Sequence, residues 1–310
     1  MRLVFVNEVS RRTGVERLDL IEKDIILHEI LKDLSEGDFG KNYLFKGGTC
    51  LIKGYLGYFR FSEDIDFTWR DQSKFQNFSQ KKLRGILSNM IDEVGKTFEE
   101  ISTKHGLEFK CLKGNRDYVE LSGSNKICTF KLWYDSETLR RRSFIKMQIN
   151  FVESLFYPSK MLELRSLLTD AEQASRRELE FLYPDQSNYL TKIPFAAYDV
   201  REILSEKIRA ILTREGIKAR DYLDVYIIEK KLGYKPEEIL EQAREKIRLS
   251  LKLYDRYRRN FDTKKEHIES LSFVWGEERS LVLEELDEAG FYAFLEHFKG
   301  FLMEVVRNIE

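Results

Sequence analysis

Apolar and polar residues follow two different periods in the first half of the chain. Spacings of three and four residues, the period of an amphipathic helix, are found over residues 15–34, 49–58 and 81–98. Alternation, or a short apolar run ended by two glycines, indicates four strands over residues 43–45, 64–69, 126–134 and 144–151. Strands interleaved with helices in this way predict an α+β fold that is built around a small mixed sheet.

The pattern changes near residue 154, beyond which helical spacing predominates and no further strand is predicted. The helices predicted in this half cover residues 161–181, 200–214, 219–231, 236–261 and 280–309. We therefore predict two domains. Residues 1–158 form the α+β core with its N-terminal helix, and residues 159–310 form a mostly helical domain.

Composition narrows the class of protein without identifying it. The 310 residues are 42% hydrophobic and 34% charged, and the formal net charge is −1. A charge so close to zero does not indicate a general nucleic-acid binder, so any such surface has to be local. No apolar run approaches the ~20 residues that cross a bilayer, and the apolar stretch at the start is too short for a signal peptide. A cytoplasmic location without a membrane partner is expected.

Two carboxylates in the strand predicted over residues 64–69 are the first candidates for chemistry. Residues two apart on a strand point to the same face, with Cα atoms roughly 6.5–7 Å apart. Asp64 and Asp66 therefore share one face, while Ile65 and Phe67 point to the core. Two convergent carboxylates repel each other unless a cation lies between them, and their hard oxygen atoms suit Mg²⁺. Taken alone, the pair is equally consistent with a solvated acidic face on an edge strand.

A glycine turn precedes this strand and favours the metal-site interpretation. Lys46-Gly47-Gly48-Thr49 lies between a predicted strand and the start of a predicted helix. Glycines let backbone amides approach a ligand closely, and the amides at a helix start favour an anion such as a phosphate. Thr49 adds a hydroxyl group near the same place. The spacing from Gly48 to Asp64 suits one short helix and a return to a neighbouring strand, which predicts a phosphate cradle and the carboxylates at one sheet edge.

The order of these two motifs resembles a known family. Phe45-Lys46-Gly47-Gly48-Thr49 followed by Arg60-Phe61-Ser62-Glu63-Asp64-Ile65-Asp66-Phe67 is similar to the AbiEii/AbiGii toxin family of nucleotidyltransferases, in the DNA polymerase β-like nucleotidyltransferase superfamily. The resemblance runs from the first predicted helix to about residue 231. It implies a nucleotidyltransferase core and Mg²⁺-dependent transfer of a nucleotide from an NTP to an acceptor. It also implies the toxin of a type IV-like toxin–antitoxin pair, with a cognate antitoxin protein as partner.

A charged residue on an apolar helix face is a second candidate for chemistry. On the helix predicted over residues 200–214, Lys207 lies within the arc of apolar residues, whereas Arg209 points the opposite way, toward solvent. A lysine on an apolar face is costly unless its ammonium group meets a partner, which a bound triphosphate would supply. A long side chain that brings its ammonium group to water is the alternative.

Two acids, Asp221 and Asp224, share the apolar face of the next predicted helix and so project toward the protein body. A structural ion pair with Arg214 or Arg220 is the alternative, above all for Asp224. Both helices are similar to later motifs of the family. The resemblance implies that Lys207 contacts the triphosphate, and that Asp221 assists catalysis by positioning or deprotonating the acceptor hydroxyl.

One position departs from the pattern of the superfamily. Its members often carry a third carboxylate on a later strand of the sheet, where this chain has Gln148. An amide accepts a hydrogen bond but brings no negative charge to a metal ion. Either Asp64 and Asp66 suffice with water ligands, or Asp221 substitutes, or the enzyme is weakened. A catalytically silent nucleotide-binding module is therefore an alternative function.

Two basic patches are candidates for a surface that follows a phosphate backbone. They consist of Arg244, Arg248, Lys252, Arg256 and Arg259 on one side of the helix predicted over residues 236–261, and of Arg140, Arg141 and Arg142. Ordinary solvated charges are the alternative for each patch. An RNA acceptor fits the resemblance, because some members of the family add nucleotides to tRNA ends. A protein side chain as acceptor, which would make the reaction nucleotidylation of a partner protein, is the alternative.

Overall fold

The computed structural model describes residues 2–268, 273–307 and 309, which form two compact units. The first unit contains the chain up to Val152 together with Ser159–Ala197. The second unit contains Glu153–Pro158 together with the chain from Tyr198 onward. This division differs from the boundary predicted after residue 158, because the segment that follows returns to the sheet of the first unit.

A seven-stranded mixed sheet forms the centre of the first unit. Its strands are β1 Tyr43–Lys46, β2 Asp64–Trp69, β3 Val119–Ser122, β4 Ile127–Ser136, β5 Arg141–Asn150, β6 Lys160–Leu164 and β7 Ile193–Ala197, in the spatial order β3-β4-β5-β2-β1-β7-β6. Strand β2 runs antiparallel to β1 and parallel to β5. The four predicted strands are confirmed as β1, β2, β4 and β5. The expectation of no strand beyond residue 154 is wrong, because β6 and β7 extend the sheet past β1.

Helices flank this sheet along the chain. They are α1 Arg2–Thr13, α2 Leu18–Glu36, α3 Asp38–Asn42, α4 Gly47–Cys50, α5 Gln80–His105 and α6 Gln173–Leu182. Helix α4 continues directly as a π-helix over Leu51–Leu56. Helix α5 begins after Ser79, whose hydroxyl accepts a hydrogen bond from the amide of Lys82, and ends at Gly106 in the left-handed conformation. The helix predicted over residues 161–181 is wrong in its first part, which forms β6.

One face of the sheet is buried beneath α5. Six residues of β4 and β5 on this face have no exposed surface: Cys128, Phe130, Leu132, Ile145, Met147 and Ile149. Phe98 of α5 packs against Phe130, with ring centroids 4.9 Å apart. Ile65 and Phe67 of β2 are equally buried, and Phe67 contacts Phe39 of α3 at 4.8 Å between ring centroids. Because side chains alternate along a strand, the opposite, open face carries the polar residues of β2, β4 and β5.

The second unit is helical. Its helices are α7 Val200–Thr213, α8 Ala219–Leu232, α9 Leu240–Leu253, α10 Asp255–His267 and α11 Glu288–Arg307. The helix predicted over residues 236–261 is wrong as one element, because Tyr254 is extended (φ −142°, ψ 107°) and separates α9 from α10. The helix predicted over residues 280–309 begins later, at Glu288, and residue 308 lies outside the described part of the chain. An α+β class with a mixed sheet and a helical C-terminal region is confirmed.

Helix α7 lies at the centre of the second unit, in contact with α8, α9 and α10. Every residue of α7 except Arg201 is buried. The expectation that Arg209 points to solvent is therefore wrong: the residue is 8% exposed, because a helix enclosed by three others has no solvated face. Among the described residues, no helix is long and apolar enough to span a membrane.

Candidate active site

The two carboxylates of β2 lie on the open face of the sheet. Asp64 and Asp66 are partly exposed and alternate with Ile65 and Phe67, which are fully buried. Oδ2 of Asp64 lies 3.1 Å from Nζ of Lys146, its register partner on β5. The two acids therefore point the same way, and one of them is already compensated by a lysine that the sequence interpretation gave no role.

Asp66 stands between two polar residues of the neighbouring strands. The register pairs it with Lys46 on β1 and with Gln148 on β5. Nε2 of Gln148 donates to Oδ1 of Asn150 at 3.3 Å. Gln148, where the resemblance leads us to expect a third carboxylate, is thus directly beside Asp66 in the register and carries an amide.

Gly47 brings the backbone of the turn against Asp66. Its φ of +77° lies in the left-handed region that favours glycine. A β-carbon at Gly47 would lie 2.3 Å from Oδ2 of Asp66. Only glycine therefore fits, both for its backbone conformation and for the space that Asp66 leaves.

Gly48 makes a similar approach to the start of the second motif. A β-carbon there would lie 2.8 Å from Nη2 of Arg60 and 3.1 Å from Oγ of Ser62. Arg60 is 1% exposed, and its Nη1 donates to the carbonyl oxygen of Phe61 at 2.7 Å. A buried guanidinium group thus lies beside the turn. The sequence interpretation assigned no role to Arg60, although the residue opens the second motif.

Thr49 joins the turn to β2. Its hydroxyl donates to the carbonyl oxygen of Asp64 and lies 2.9 Å from Oγ of Ser62. The side chain is 1% exposed. Because the hydroxyl already has these partners, Thr49 positions the glycine turn against the acidic strand.

The donor set on this face fits a hard cation. Magnesium is usually held by one or two carboxylates and completes its octahedron with water and substrate phosphate oxygens. Asp64 and Asp66 supply two such carboxylates. Within residues 2–268, 273–307 and 309, no group of three or more His, Cys, Asp and Glu side chains offers an all-protein metal site. A magnesium ion on two carboxylates takes its remaining ligands from water or from substrate oxygen atoms.

The second unit holds a separate cluster of charges around Lys207. Nζ of Lys207 lies 2.7 Å from Oδ1 of Asp221 and 2.6 Å from Oδ2 of Asp224. Nη1 of Arg214 lies 3.2 Å from the other carboxylate oxygen of Asp221. The two aspartates are 1% and 0% exposed at their side chains, so the cluster is buried on its acidic side. The side chain of Lys207 is 11% exposed, and that of Arg214 is 43% exposed.

The charges in this cluster control the ionisation of Asp221. Burial by itself would raise the pKa of its carboxyl group. The positive charges of Lys207 and Arg214 outweigh burial and hold the pKa of Asp221 well below its ordinary value. Asp221 is therefore a fully ionised carboxylate with little tendency to accept a proton.

Lys264 of α10 belongs to the same surroundings, although the sequence interpretation did not identify it. Its Nζ donates to the carbonyl oxygen of Ile211 near the end of α7, at 2.5 Å. Burial lowers the pKa of Lys264 to about 8, with Asp221 opposing the shift and Arg214 adding to it. A hydrogen bond to a main-chain carbonyl group leaves no periodic signal in the sequence, so this lysine could not be identified there.

The long basic stripe predicted over residues 236–261 is not formed. Arg244 is 6% exposed and donates to the carbonyl oxygen of Glu304 at 2.8 Å. Arg248 and Arg256 reach the surface, but they belong to different helices on either side of Tyr254. Each pairs with a nearby glutamate. The alternative of ordinary surface charges therefore describes Arg248 and Arg256, whereas the buried Arg244 fits neither interpretation.

Comparison with known proteins identifies the family. A family model described as "Nucleotidyl transferase AbiEii toxin, Type IV TA system" matches residues 29–306. No curated protein matches the chain. The solved structure of MenT4, a nucleotidyltransferase toxin from Mycobacterium tuberculosis, is similar in fold. It has a TM-score of 0.53 and 16% identity, over 96% of this chain and 89% of that one.

Two Helicobacter pylori structures show weaker similarity. JHP933 has a TM-score of 0.43 and 13% identity, with 92% of each chain covered. A putative nucleotidyltransferase has a TM-score of 0.41 and 14% identity, over 96% of this chain and 99% of that one.

The family match covers most of the chain, so the protein is a nucleotidyltransferase. More narrowly, it belongs to the family of AbiEii nucleotidyltransferase toxins of type IV toxin–antitoxin systems.

Proposed function

We propose that this toxin transfers a nucleotide from an NTP to the 3′ end of an RNA such as a tRNA, in a Mg²⁺-dependent reaction. The observation that carries the proposal is the placement of Asp64 and Asp66 on one face of β2, with the backbone of Gly47 directly against Asp66. In the reaction, the acceptor hydroxyl oxygen bonds to the α-phosphorus of the NTP. The bond to the β-phosphate breaks, pyrophosphate leaves, and the hydroxyl proton passes to solvent.

The first unit would bind the metal and the triphosphate. Asp64 and Asp66 would hold Mg²⁺, which when bound neutralises charge that develops on the phosphate oxygens. The amides of Gly47 and Gly48 would donate to phosphate oxygens, with Lys46 adding positive charge from the end of β1. Arg60, which lies beside Gly48, and Thr49, which bonds to the main chain of Asp64, would hold this turn in place.

The second unit would supply Lys207 and Asp221, and we infer that both meet the same nucleotide. Lys207 is paired with two aspartates, and it would exchange one of these contacts for a phosphate oxygen when the nucleotide binds. Asp221 has a depressed pKa, so it is a poor base. Its role would therefore be to position Lys207 and the acceptor hydroxyl by accepting hydrogen bonds, rather than to remove a proton.

Labelling with each of the four NTPs tests the acceptor class. The purified protein is incubated with Mg²⁺ and either total RNA or total protein, and the labelled fraction is then separated. Label on RNA that is lost after removal of the terminal nucleotide supports the proposal. Label confined to protein would identify nucleotidylation of a partner instead. Binding of NTP without transfer to either fraction would identify a silent nucleotide-binding module.

A double-variant comparison tests whether the two clusters serve one site. If Asp66 and Lys207 act on the same phosphates, Asp66→Asn and Lys207→Met should each reduce the transfer rate strongly. The double variant should then transfer nucleotides only slightly more slowly than the less active of the two single variants. Independent effects that multiply would separate the two clusters. The variant proteins are first compared by circular dichroism, so that a loss of fold is recognised.

The toxin role also implies a cognate antitoxin. Expression of the protein should arrest growth, and Asp66→Asn should relieve the arrest while the protein still accumulates. A small DNA-binding protein encoded by a neighbouring gene is the first candidate to test by co-expression. Growth arrest that Asp66→Asn leaves unchanged would contradict nucleotide transfer as its cause.

A further inference from the structure

The open face of the sheet continues from the acidic pair to two aromatic rings. Asp64 pairs in register with Lys146 of β5, which pairs in turn with Lys131 of β4. The next row on the same face is Phe144 opposite Trp133. Two residues along a strand span roughly 6.5–7 Å, so the rings lie about one such step from the row of Asp64.

These rings are not part of the apolar core. Their strand neighbours Ile145 and Leu132, which point to the other face, have no exposed surface, whereas Phe144 and Trp133 are both partly exposed. The two rings contact each other at 4.9 Å between centroids and 57° between planes. Nε1 of Trp133 donates to the carbonyl oxygen of Asp117 at 2.7 Å, which fixes the orientation of the indole.

Two cations flank the rings. The guanidinium carbon of Arg142 lies 4.5 Å from the ring centroid of Trp133, and the ammonium of Lys131 lies 5.9 Å from that of Phe144. We name these four residues the β4–β5 platform. Arg142 is one of the three arginines noted in the sequence as a candidate basic patch, and the structure joins it to an aromatic surface.

The cations of the platform have carboxylate partners that a phosphate can replace. Arg142 lies 2.5 Å from Glu108, and Lys131 lies 3.9 Å from Glu120. Both glutamate side chains are more than half exposed, at 56% and 55%. Exposed pairs of this type are weak, because water screens them and both side chains lose freedom.

We propose that the β4–β5 platform binds an unpaired nucleobase at the 3′ end of the RNA acceptor, an inference that rests on the proposed function. Proteins that bind single strands combine aromatic or guanidinium planes, on which bases stack, with cations that bind the phosphate backbone. The platform offers both in one place. An acidic peptide would use Arg142 and Lys131 but not the rings, and a duplex would hide the faces of its bases.

The distance to the acidic pair determines which part of the acceptor is bound. The rings occupy the row next to that of Asp64 on the same face, so a base on the platform would lie close to the hydroxyl that reacts. The platform would therefore select acceptors with an unpaired end. Because it binds the RNA and does not contact the NTP, it would lower KM for the RNA acceptor alone.

Binding is measured first without metal or NTP. A fluorescent single-stranded RNA about eight nucleotides long, within the usual site sizes of such proteins, is compared with a blunt duplex of the same sequence. Phe144→Leu keeps apolar volume but removes the ring, and it should weaken single-strand binding about tenfold. Phe144→Tyr should bind close to wild type. Phe181→Leu, which removes a ring that is 85% exposed on α6, is the matched control and should change nothing.

Arg142→Gln provides a second test that leaves both rings in place. It should weaken single-strand binding and reduce the dependence of the affinity on salt. Equal single-strand affinity of wild type, Phe144→Leu and Arg142→Gln would overturn the proposal. Binding of the blunt duplex as tightly as the single strand would also overturn it.

Transfer assays separate failure of the platform from failure of the proposed function. Phe144→Leu should raise KM for the RNA acceptor and leave KM for NTP unchanged. If RNA is labelled equally well by wild type and Phe144→Leu at every RNA concentration, the platform is overturned and the proposed function stands. If single strands bind in a manner that depends on Phe144 but RNA is never labelled, the platform is supported and the proposed function fails.

Discussion

A β-carbon at Gly47 would lie 2.3 Å from Oδ2 of Asp66, so the turn and the acidic strand leave room between them for hydrogen only. This contact links the two motifs that are separated in the sequence. Because Lys46 is the register partner of Asp66, the chain leaves β1 directly beside the carboxylate and turns over it. Any movement of the turn is therefore transmitted to Asp66.

Gly47→Ala should disrupt both the fold and the chemistry. The left-handed backbone alone costs an alanine about 1–2 kcal/mol, and the clash with Asp66 adds to that cost. Displacement of the carboxylate by about 1 Å is expected to reduce transfer roughly a hundredfold. Urea unfolding and transfer rates measure the two effects.

Gly57→Ala is the matched control for this prediction. Gly57 has nearly the same φ, +78°, but no heavy atom lies within 4 Å of the position its β-carbon would take. Its ψ of −177° places Gly57 in a region that is essentially restricted to glycine, so this variant should lose about 1–3 kcal/mol of stability and keep its transfer rate. Equal loss of activity in both variants would mean that backbone strain, and not the contact with Asp66, is responsible.

Asp66→Asn should remove transfer without unfolding the protein. Asp66 is partly exposed and lies outside the core, so the free energy of unfolding should change by no more than about 0.5 kcal/mol. The rate should fall about a hundredfold or more, because one of the two carboxylates proposed to hold Mg²⁺ at the reacting phosphates is lost. Asp92→Asn, at a half-exposed position on α5, is the control and should retain full activity. Retention of activity by Asp66→Asn would remove the residue from the site.

Magnesium should stabilise the wild-type protein through the acidic pair. A ligand that binds only the folded state raises the free energy of unfolding as its concentration exceeds Kd. Thermal unfolding in increasing MgCl₂, with an NTP analogue present, should show a rising Tm. The double variant Asp64→Asn/Asp66→Asn should show no such rise, and a chelator should abolish transfer by the wild type. An identical rise in both proteins would place the metal elsewhere.

Lys207→Met should destabilise the second unit as well as weaken the use of NTP. The substitution leaves the buried carboxylates of Asp221 and Asp224 without their shared cation, a situation that costs about 3–5 kcal/mol in other proteins. KM for NTP should rise if Lys207 contacts phosphate. Urea unfolding and steady-state kinetics give the two quantities separately.

A second substitution distinguishes the structural from the functional part of this effect. Lys207→Met/Asp224→Asn removes one charge of each sign, so part of the lost stability should return. KM for NTP should stay high, since the lysine is still absent. Recovery of KM together with stability would show that Lys207 acts only by holding the fold.

The pH dependence of stability should reveal Lys264. Its pKa in the folded protein is about 8, below the ordinary value of 10.5, so between these pH values the unfolded chain binds more protons than the folded one. The free energy of unfolding therefore rises with pH between pH 8 and pH 10.5. Below pH 8 the folded protein carries the full cost of burying a charged Lys264. The penalty is on the order of 1–3 kcal/mol, allowing for partial exposure.

The measurement compares unfolding of wild type and Lys264→Met from pH 7 to pH 10.5. The difference in free energy of unfolding between the two proteins should change across this range, because only the wild type titrates at this position. Lys265→Met, an exposed neighbour on the same helix, should follow the wild type. Parallel curves for wild type and Lys264→Met would show that the burial of Lys264 has no energetic consequence.

The sequence predicted those helices and strands that bury a single face, because burial of one face sets the spacing of their apolar residues. Strand β2 forms at its predicted limits, because Asp64 and Asp66 alternate with Ile65 and Phe67 and only one face of the sheet is covered. The sequence also predicted that the glycine turn lies between the end of a strand and the start of a helix, and β1 and α4 confirm this. The roles of the site residues remain predictions.

The remaining features depend on contacts that leave no period in the sequence. Strand β6 is a sheet edge with one buried residue, Leu164, and the spacing of Met161, Leu164 and Leu168 matches a helix, so the strand was not predicted. The sequence predicts solvent exposure for Arg209 because a helical wheel assumes that one face of the helix is solvated. Helix α7 instead packs against α8, α9 and α10, and Arg209 is buried. The sharing of Lys207 between two acids requires α7 and α8 to be packed together, which spacing alone does not reveal.

The return of the chain to the sheet after residue 158 has a consequence for biosynthesis. Strand β7 pairs with β1, but more than a hundred residues of chain separate them, so β1 has no neighbour on that side until Ala197 has been synthesised. Pairing across such a distance is slow. A fragment ended at residue 158 should therefore expose β1 as a free edge and aggregate.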